Sequence, residues 1–255
     1  MFKIEDLVFL VDDSRKNLFI INEIKSSFFI IFGVNNRMIK VVTKDEIILA
    51  TKEEIELIYN KEKELREKVT KNIPIRKNIK AIYGRVLHID GDNAFLSSCI
   101  NLYNETGVFA YGVNLKEKDI YKYIKKLILE LRPDIIVMTG HDVYNGKGLS
   151  ELENYENSYS FIKAINIIRK INNNVVVIAG ACGSNFEALI ASGANIASSP
   201  KRINIHTYDP AIAAIKVATT PFDQKVNYNN IYKYIENGHD ALGGLELYGK
   251  MNLLM

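Results

Sequence analysis

The sequence has few of the features that would assign it to several common classes of protein. Only two of its 255 residues are cysteines, Cys99 and Cys182, which is too few for a disulfide framework and is typical of a reducing compartment. No apolar run approaches the roughly 18 residues that a membrane-spanning helix needs. Acidic residues, Glu5 and Asp6, stand where a secretion signal would carry its basic and apolar regions. We therefore expect a cytoplasmic protein with no membrane partner.

Charge and metal-binding patterns exclude further classes. The net charge is only +3, from 33 basic and 30 acidic residues, whereas nucleic-acid binding requires clustered basic residues that displace counterions. No group of His and Cys residues has the spacing of a zinc site, and the sequence contains neither a P-loop nor a dinucleotide-binding glycine motif. We expect no nucleic-acid partner, no metal and no cofactor.

The first 50 residues are rich in short runs of β-forming residues. These runs lie at 7–11, 18–24, 28–32 and 38–42, separated by polar or glycine-containing turns. Strands this short and this closely spaced predict a small SH3-like β-barrel over residues 1–50.

A charged helix is predicted to follow the barrel. Thr51 and Glu54 have the spacing of a capping box, and the helical pattern continues to about Lys71. The polar stretch that follows contains Pro74 and indicates a linker. Residues 51–80 are therefore expected to form one helix and the linker.

From residue 84 the pattern changes to alternating β and α units. Buried-strand patterns lie at 85–89, 108–113, 135–139 and 175–179, with two more at 194–198 and 203–207. Helical patterns lie among them at 93–105, 118–131 and 155–171. Repeated βαβ units of this size predict a doubly wound, flavodoxin-like parallel sheet with helices on both faces, over residues 81–255. Such sheets bind ligands at the carboxyl ends of their strands.

Two of the predicted strands lead into residues with basic and nucleophilic side chains. The strand at 135–139 leads through a glycine to His141, and the strand at 175–179 leads through Gly-Ala to Cys182. These two residues are 41 positions apart, about one βαβ crossover, so both are expected at one edge of the sheet if the strands are neighbours. An adjacent imidazole lowers the pKa of a thiol and later protonates the leaving amine. Either residue alone is more often structural, but together they predict a nucleophile, Cys182, and its base, His141.

Residues around this pair are expected to support the site. Gly140 and Gly183 lie beside it, and small residues there would let a substrate backbone approach closely. Asp142 is placed either to orient the imidazole or to face an arginine side chain of a substrate. The backbone N–H of the cysteine is the first candidate for an oxyanion donor. A helix predicted to begin near Ser184 would direct its positive end at the sulfur.

The other histidines and the second cysteine have different expected roles. His206 follows a later predicted strand and is the alternative base, as in an amidase or glutamine-amidotransferase-like enzyme, although the 24 residues after Cys182 leave little room for the elements between them. Cys99 has helical apolar neighbours, and His88 lies within a predicted strand, so both are expected to be structural. His239 is the weakest candidate.

Between residues 86 and 249 a series of short motifs stands at 88–92, 133–134, 139–142, 154–161, 179–182, 192–200, 205–210 and 243–246. These motifs, in this order, resemble the YabG family of sporulation-specific cysteine peptidases. The resemblance covers nearly the whole chain, and a series of this length is far more specific than any single motif. It implies that His141 and Cys182 are the catalytic pair, and that the N-terminal region is SH3-like.

The resemblance also implies substrates and a compartment. It implies a peptidase that processes spore coat and related proteins during sporulation, in the mother cell or associated with the coat, with cleavage favoured near arginine. Carboxylates suit arginine because they bind a guanidinium with two hydrogen bonds. Asp209 and Glu246 are candidates for such a pocket beside Asp142, and Asp90 and Asp92 follow a predicted strand at the same edge. Each of these alone is as readily a capping or solvated carboxylate.

A more distant resemblance, and some departures, are also visible. A strand followed by His and a later strand followed by Ala-Cys are similar to the caspase and gingipain group, in which a glycine after the histidine helps form the oxyanion hole. Here Asp142 takes that place. Gly183 stands where the YabG pattern has glutamine, and the tail carries Glu246 to Gly249 where that pattern tends to have a basic residue. A non-catalytic scaffold or binding protein of the spore coat is therefore the alternative to an enzyme.

Overall fold

The computed structural model describes residues 2–13, 17–72 and 81–254. The chain divides into two compact units, Met1–Glu67 and Lys68–Met255. The linker predicted at 72–80 lies, except for Asn72, outside the described residues. Within the described ranges, no helix is both long enough and apolar enough to cross a membrane.

The first unit contains one antiparallel sheet. Its strands are β1 (Leu7–Leu10), β2 (Phe19–Ile24), β3 (Phe29–Gly33), β4 (Ile39–Val42) and β5 (Ile47–Leu49). They pair in the order β4-β3-β2-β1-β5, and their alternate apolar residues form one core. The four predicted strands are confirmed to within a residue or two. The sequence pattern did not predict β5, which is three residues long and follows a 3₁₀ turn at Lys44–Glu46.

The helix α1 (Lys52–Asn72) begins at the predicted capping box. The Thr51 Oγ1 accepts the Glu54 N–H at 3.2 Å, and the Glu54 carboxylate accepts the Thr51 N–H at 2.9 Å. The two bonds satisfy backbone donors that the first turn leaves without helical partners. This prediction is confirmed.

The second unit is an α/β fold. Its strands are β6 (Ala81–Ile82), β7 (Val86–Asp90), β8 (Ala110–Asn114), β9 (Ile135–Thr139), β10 (Val176–Ala179), β11 (Ile196–Ser198), β12 (Leu242–Gly244) and β13 (Asn252–Leu253). Its helices are α2 (Asn93–Glu105), α3 (Ile120–Leu131), α4 (Ser158–Ile171), α5 (Phe186–Ala191), α6 (Asp209–Thr219) and α7 (Asn229–Tyr232). Six strands form the main sheet in the order β12-β11-β10-β9-β7-β8, and β6 pairs with β13. Every pairing in the main sheet is parallel except that of β11 with β12, so the predicted, mostly parallel α/β sheet is confirmed.

The order of the parallel strands defines where a ligand crevice forms. The first strand of this sheet, β7, lies between β8 and β9. The chain therefore adds β8 on one side of β7 and then crosses to build β9, β10 and β11 on the other. In sheets of this kind, the crevice lies at the carboxyl ends of the strands where the order reverses. Here that point lies between β7 and β9.

Helices cover both faces of the main sheet. The helices α3, α4 and α5 share a buried apolar cluster with strand residues such as Leu87 and Ile89. The residue between these two, His88, faces the other side, where its Nδ1 lies 3.0 Å from the Tyr103 hydroxyl of α2. The helix α6 packs against α2, β9 and β10. Because both faces are covered, the central strands are mostly apolar, and the polar residues of β7 and β9, His88, Asp90 and Thr139, are themselves buried.

The strand predicted at 203–207 is wrong. These residues form a loop that leads from β11 into α6. Their Ile-x-Ile alternation resembles a strand, but Ser199 and Arg202 turn the backbone with φ values of 61° and 51°. The sheet edge is instead occupied by β12, which lies more than 40 residues further along the chain. The other strand predictions in this unit are confirmed to within two residues.

Candidate active site

The loops that carry His141 and Cys182 leave two neighbouring strands. In the pairing of β9 with β10, Met138 is level with Ala179, and the Gly180 N–H bonds to the Met138 carbonyl at 3.0 Å. The strands β9 and β10 end at Thr139 and Ala179, so His141 and Cys182 lie in the loops that directly follow two adjacent parallel strands. The structure therefore has both residues at the carboxyl edge of adjacent parallel strands.

The two loops also pack directly against each other. A Cβ added to Gly183 would lie 2.6 Å from the Asp142 carbonyl oxygen and 3.1 Å from the Tyr144 nitrogen. Such contacts are closer than a side chain tolerates, so the backbone after the cysteine requires glycine at this position. Gly183 thus serves the packing of the two loops.

A carboxylate that the sequence analysis did not single out lies beside His141. Glu117 belongs to the loop between β8 and α3, and its Oε1 accepts the His141 backbone N–H at 2.6 Å. The same oxygen lies 3.5 Å from the Nδ1 of the His141 ring. A Cβ at either Gly91 or Gly140, the glycines that follow β7 and β9, would collide with this carboxylate. Glu117 therefore occupies a glycine-lined slot at the switch point of the sheet.

Electrostatics at this slot favour a charged carboxylate and a defined imidazole tautomer. Burial alone would raise the pKa of Glu117, but the hydrogen bonds from the ring and the backbone of His141 outweigh it and lower the pKa. A carboxylate beside Nδ1 favours the proton on that nitrogen. The basic lone pair of the neutral ring then lies on Nε2. The His141 side chain is 19% exposed.

Cys182 lies under the loop between β11 and α6. The residue is 9% exposed, and its Sγ lies 3.5 Å from the Ile205 backbone nitrogen, which donates to it. The Ile205 carbonyl oxygen lies 3.9 Å from the same sulfur. The sulfur therefore both accepts from and donates to the backbone of Ile205.

The alternative base, His206, lies next to this contact. The 24 residues after Cys182 accommodate both α5 and β11 and still return the chain to the sulfur at Ile205, so the expectation that they leave too little room is wrong. The Nδ1 of His206 accepts the Tyr208 N–H at 3.2 Å. This bond places the proton of the neutral ring on Nε2, so neither ring nitrogen of His206 is then poised to accept a proton from the thiol.

Asp142 is engaged inside the protein. It is 6% exposed, and its two oxygens accept from the Asn157 N–H at 2.7 Å, the Ser158 hydroxyl at 2.5 Å and the Ser184 hydroxyl at 2.9 Å. Burial raises its pKa, although these three bonds act in the opposite direction. Glu117, and not Asp142, contacts the His141 ring. The carboxylate of Asp142 also does not face outward to a substrate arginine.

Two of the remaining predicted carboxylates have structural partners near the switch point. Asp90 is fully buried, and it accepts the Thr139 hydroxyl at 2.7 Å and the Asp92 N–H at 2.9 Å. Asp92 caps α2 by accepting the Ala94 N–H at 2.8 Å. Both residues therefore shape the end of β7.

The other two lie in different surroundings. Asp209 is 2% exposed, and its Oδ2 accepts the His206 N–H at 2.9 Å. It is the first residue of α6, and this bond ties it to the end of the loop that covers the cysteine. Glu246 is on the surface and pairs with Lys225 at 2.8 Å. The structure thus brings Asp209, but not Glu246, against the segment that contacts the nucleophile.

The two residues that were expected to be structural, Cys99 and His88, are fully buried. Cys99 has no exposed surface, and its Sγ donates to the Thr207 carbonyl at 3.4 Å. His88 is equally buried within β7. Both predictions are confirmed. The helix expected to begin near Ser184 begins at Phe186 and is six residues long, with the Asn185 side chain accepting the Ala188 N–H.

Comparison with known proteins agrees with the motifs in the sequence. The family described as YabG peptidase U57 matches residues 18–255. The sporulation-specific protease YabG of Bacillus subtilis (strain 168) is 38% identical over 210 residues, which are 79% of this chain and 72% of that protein. The family match includes residues of both units and the loops that contain His141 and Cys182. The chain belongs to the YabG family of sporulation-specific peptidases.

Proposed function

We propose that this sporulation protease is a cysteine endopeptidase in which Cys182 is the nucleophile and His141 is the acid–base. The observation that carries the proposal is the parallel pairing of β9 with β10, because the loops that hold the two residues then leave the same edge of the sheet from neighbouring strands. A thiol and an imidazole on adjacent strand ends form the smallest unit that performs acyl transfer from a peptide.

The reaction would proceed in two stages. Nε2 of His141 takes the proton of the Cys182 thiol, and the sulfur attacks the scissile carbonyl carbon. The C–N bond then breaks as Nε2 gives that proton to the departing amine. Water then attacks the thioester, His141 accepts a proton from it, and the carboxylic acid leaves as the thiol is restored. The backbone N–H of Cys182 is the proposed donor to the oxyanion in both stages.

Two neighbours would prepare this pair. The Glu117 carboxylate beside Nδ1 stabilises the imidazolium that forms when the ring accepts a proton. The Ile205 N–H, which points at the sulfur, stabilises the thiolate.

The finer description of fold and substrate belongs to the same proposal. We assign the α/β unit to the caspase-like group and the N-terminal sheet to the SH3-like barrels. The substrates are spore coat and related proteins, cut near arginine in the mother cell or on the coat. Asp209 is the carboxylate that we assign to arginine, because it bonds to the loop that contacts the sulfur and a carboxylate can bind a guanidinium with two bonds. Since its side chain is buried, a substrate arginine reaches it only when that loop moves aside.

Cleavage of an arginine-containing peptide library tests the proposal. The wild type is expected to cut, and Cys182→Ala is expected to lose at least about a thousandfold in rate. Cys99→Ala is the matched control, since it removes the other buried thiol and should keep the activity. Cut sites would show the preferred residue, and Asp209→Asn should weaken a preference for arginine. A Cys182→Ala variant that cuts like the wild type would refute the assignment.

A second enzymatic candidate is favoured by one observation. Because Ile205 contacts the sulfur, the next residue in the chain, His206, lies near the nucleophile. It would serve as the base of an amidase-like reaction if its Nδ1 were released from the Tyr208 N–H. Replacing His141 and His206 separately decides between them, because only the true base should abolish turnover. If folded wild type cuts nothing, and both cysteines react equally slowly with a thiol reagent, the scaffold alternative replaces both enzymatic candidates.

A further inference from the structure

The backbone on both sides of Cys182 is tied, through two serine hydroxyls, to one buried carboxylate. Ser184 Oγ donates to Asp142 at 2.9 Å and accepts the Ala181 N–H at 2.9 Å. Ser158 Oγ donates to the same carboxylate at 2.5 Å and accepts the Asn185 N–H at 2.8 Å. Ala181 and Asn185 flank the nucleophile, one position before it and three after it.

The carboxylate itself is fixed next to the base. Asp142 directly follows His141 in the chain, and its Oδ1 accepts the Asn157 N–H at 2.7 Å. The Asn157 side chain in turn donates to the His141 carbonyl at 2.9 Å. Asp142, Ser158 and Ser184 are all 6% exposed or less. One carboxylate thus connects the loop of the base, the start of α4 and the loop of the nucleophile.

A carboxylate has a specific advantage in this position. A serine hydroxyl has one proton and two lone pairs, whereas an ionised carboxylate only accepts. Both hydroxyl protons must therefore point at Asp142, and the lone pairs of each serine are left for a backbone N–H. Both hydroxyls donate to the same oxygen, Oδ2, while Oδ1 accepts the Asn157 N–H. An amide at position 142 has only one acceptor oxygen. Its NH2 group would therefore face either the Asn157 N–H or the two hydroxyls, and the three bonds could not all form.

We propose that Asp142 is a positioning residue for the cysteine peptidase reaction: through Ser184 and Ser158 it fixes the backbone around Cys182 so that the sulfur faces His141. The inference rests on the proposed function. Asp142 follows His141 in the chain, and this role replaces the two that its position suggests from sequence alone, contact with the imidazole or with a substrate arginine.

The test compares Asp142→Asn with Asp134→Asn, which alters a carboxylate at the opposite end of β9. Asp134 accepts the Arg85 N–H at 2.8 Å and lies at the far end of the strand from the bonds that Asp142 makes with Ser158 and Ser184. Active sites are titrated with a thiol inhibitor, and kcat per titrated site is measured on a peptide that the wild type cuts. We expect Asp142→Asn to lower kcat about 100-fold, as a misplaced nucleophile does, with KM changed little. Asp134→Asn should keep kcat.

Ser184→Ala provides an independent variant in case Asp142→Asn does not fold. It should lower kcat about tenfold, and Ser97→Ala on α2, which removes an exposed hydroxyl bonded within its own helix, should not. The double variant Asp142→Asn/Ser184→Ala should be no slower than Asp142→Asn, because both act through one connection. A purely structural role would reduce the number of titratable sites but leave kcat per site unchanged, and that result would overturn the proposal. Equal cleavage by Cys182→Ala would instead show that the proposed function itself has failed.

Discussion

Two regions of the same sheet contain a histidine and a carboxylate, yet their surroundings differ. Below the end of β7, His88 has partners at both ring nitrogens, the Tyr103 and Thr139 hydroxyls, each at 3.0 Å, and Asp90 lies 3.8 Å away. None of these side chains is exposed. Beyond the ends of β9 and β10, the His141 ring meets Glu117 at Nδ1 and is partly exposed.

The difference separates a structural histidine from a candidate catalytic one. A ring with a hydrogen-bond partner at each nitrogen, and no access for a substrate, has no means of transferring a proton to one. A ring with a carboxylate on one nitrogen and exposed surface has the arrangement that general acid–base catalysis needs. The residue types alone do not distinguish the two regions. Their position relative to the carboxyl edge of the sheet does.

The largest expected effect is the opposite response of the two histidines to substitution. His141→Ala should lower the rate of peptide cleavage by about a thousandfold or more, because proton transfer is lost. Its free energy of unfolding should change by less than about 1 kcal/mol. His88→Ala should cost about 2–4 kcal/mol of unfolding free energy, because it leaves a cavity and removes the partner of two buried hydroxyls.

Urea denaturation and cleavage assays on both variants check this contrast. The cleavage rate of His88→Ala is measured without urea and is divided by the fraction of folded molecules. A loss of stability is then not mistaken for a loss of catalysis. The distinction between a structural and a catalytic histidine is wrong if folded His88→Ala is as inactive as His141→Ala. It is also wrong if His141→Ala is the less stable of the two variants.

The two cysteines extend the comparison from bases to nucleophiles. Both are buried and both donate to a backbone carbonyl, but Cys182 also accepts the Ile205 N–H and keeps 9% of its surface exposed, whereas Cys99 has none. Iodoacetamide should therefore label Cys182 about 100-fold faster in the native protein, since Cys99 must wait for local unfolding. Mass spectrometry of labelled peptides gives both rates. Equal rates would support a scaffold in place of an enzyme.

Much of this arrangement could be predicted from the sequence, because it depends on local patterns. The apolar runs before His141 and Cys182, each followed by glycine, are sufficient to predict two buried strands and a polar edge. The capping box at Thr51 is likewise a local signal. The edge strand β12 could not be predicted, because a three-residue Leu-Gly-Gly strand depends on β11 and not on its own propensity.

Glu117 shows why part of the site was missed. It lies between two lysines in a charged stretch, 116–118, which is the usual composition of a solvated loop. Only the fold shows that the loop after β8 returns to the switch point and inserts this carboxylate between Gly91 and Gly140. A signal was nevertheless present, because the strands at β7 and β9 are both followed by glycine, which allows close approach of another group.

Glu117→Gln should give a smaller effect on catalysis than loss of the base. The amide keeps an acceptor for the His141 backbone N–H but removes the negative charge beside Nδ1, so the imidazolium formed during turnover is less stable. We expect kcat to fall roughly 10- to 100-fold. Asp119→Asn is the matched control, because it removes a carboxylate two positions away that pairs only with Lys122 among the contacts described. If the two variants had the same kcat, Glu117 would be a structural residue like Asp90.

The smallest expected effect is an opposite dependence of stability on pH for two neighbouring carboxylates. The fold lowers the pKa of Glu117 below 4.5, so its stabilising contribution is complete above pH 4.5 and is lost as pH falls through the folded-state pKa. The fold raises the pKa of Asp142 above 3.8, so in acid the folded chain binds a proton at Asp142 more readily than the unfolded chain does. That contribution is present below pH 3.8 and is lost as pH rises through the folded-state pKa.

Urea unfolding of the wild type, Glu117→Gln and Asp142→Asn between pH 3 and 7 separates the two contributions. The advantage of the wild type over Glu117→Gln should shrink as pH falls below 4.5, since both then carry a neutral group at position 117. Relative to Asp142→Asn, the wild type should instead gain stability on acidification, because protonated Asp142 resembles the amide. If both stability differences change in the same direction with pH, the fold does not shift the pKa values of the two carboxylates in opposite directions. The contrast between Glu117, which contacts the imidazole, and Asp142, which bonds to the two serines, would then be wrong.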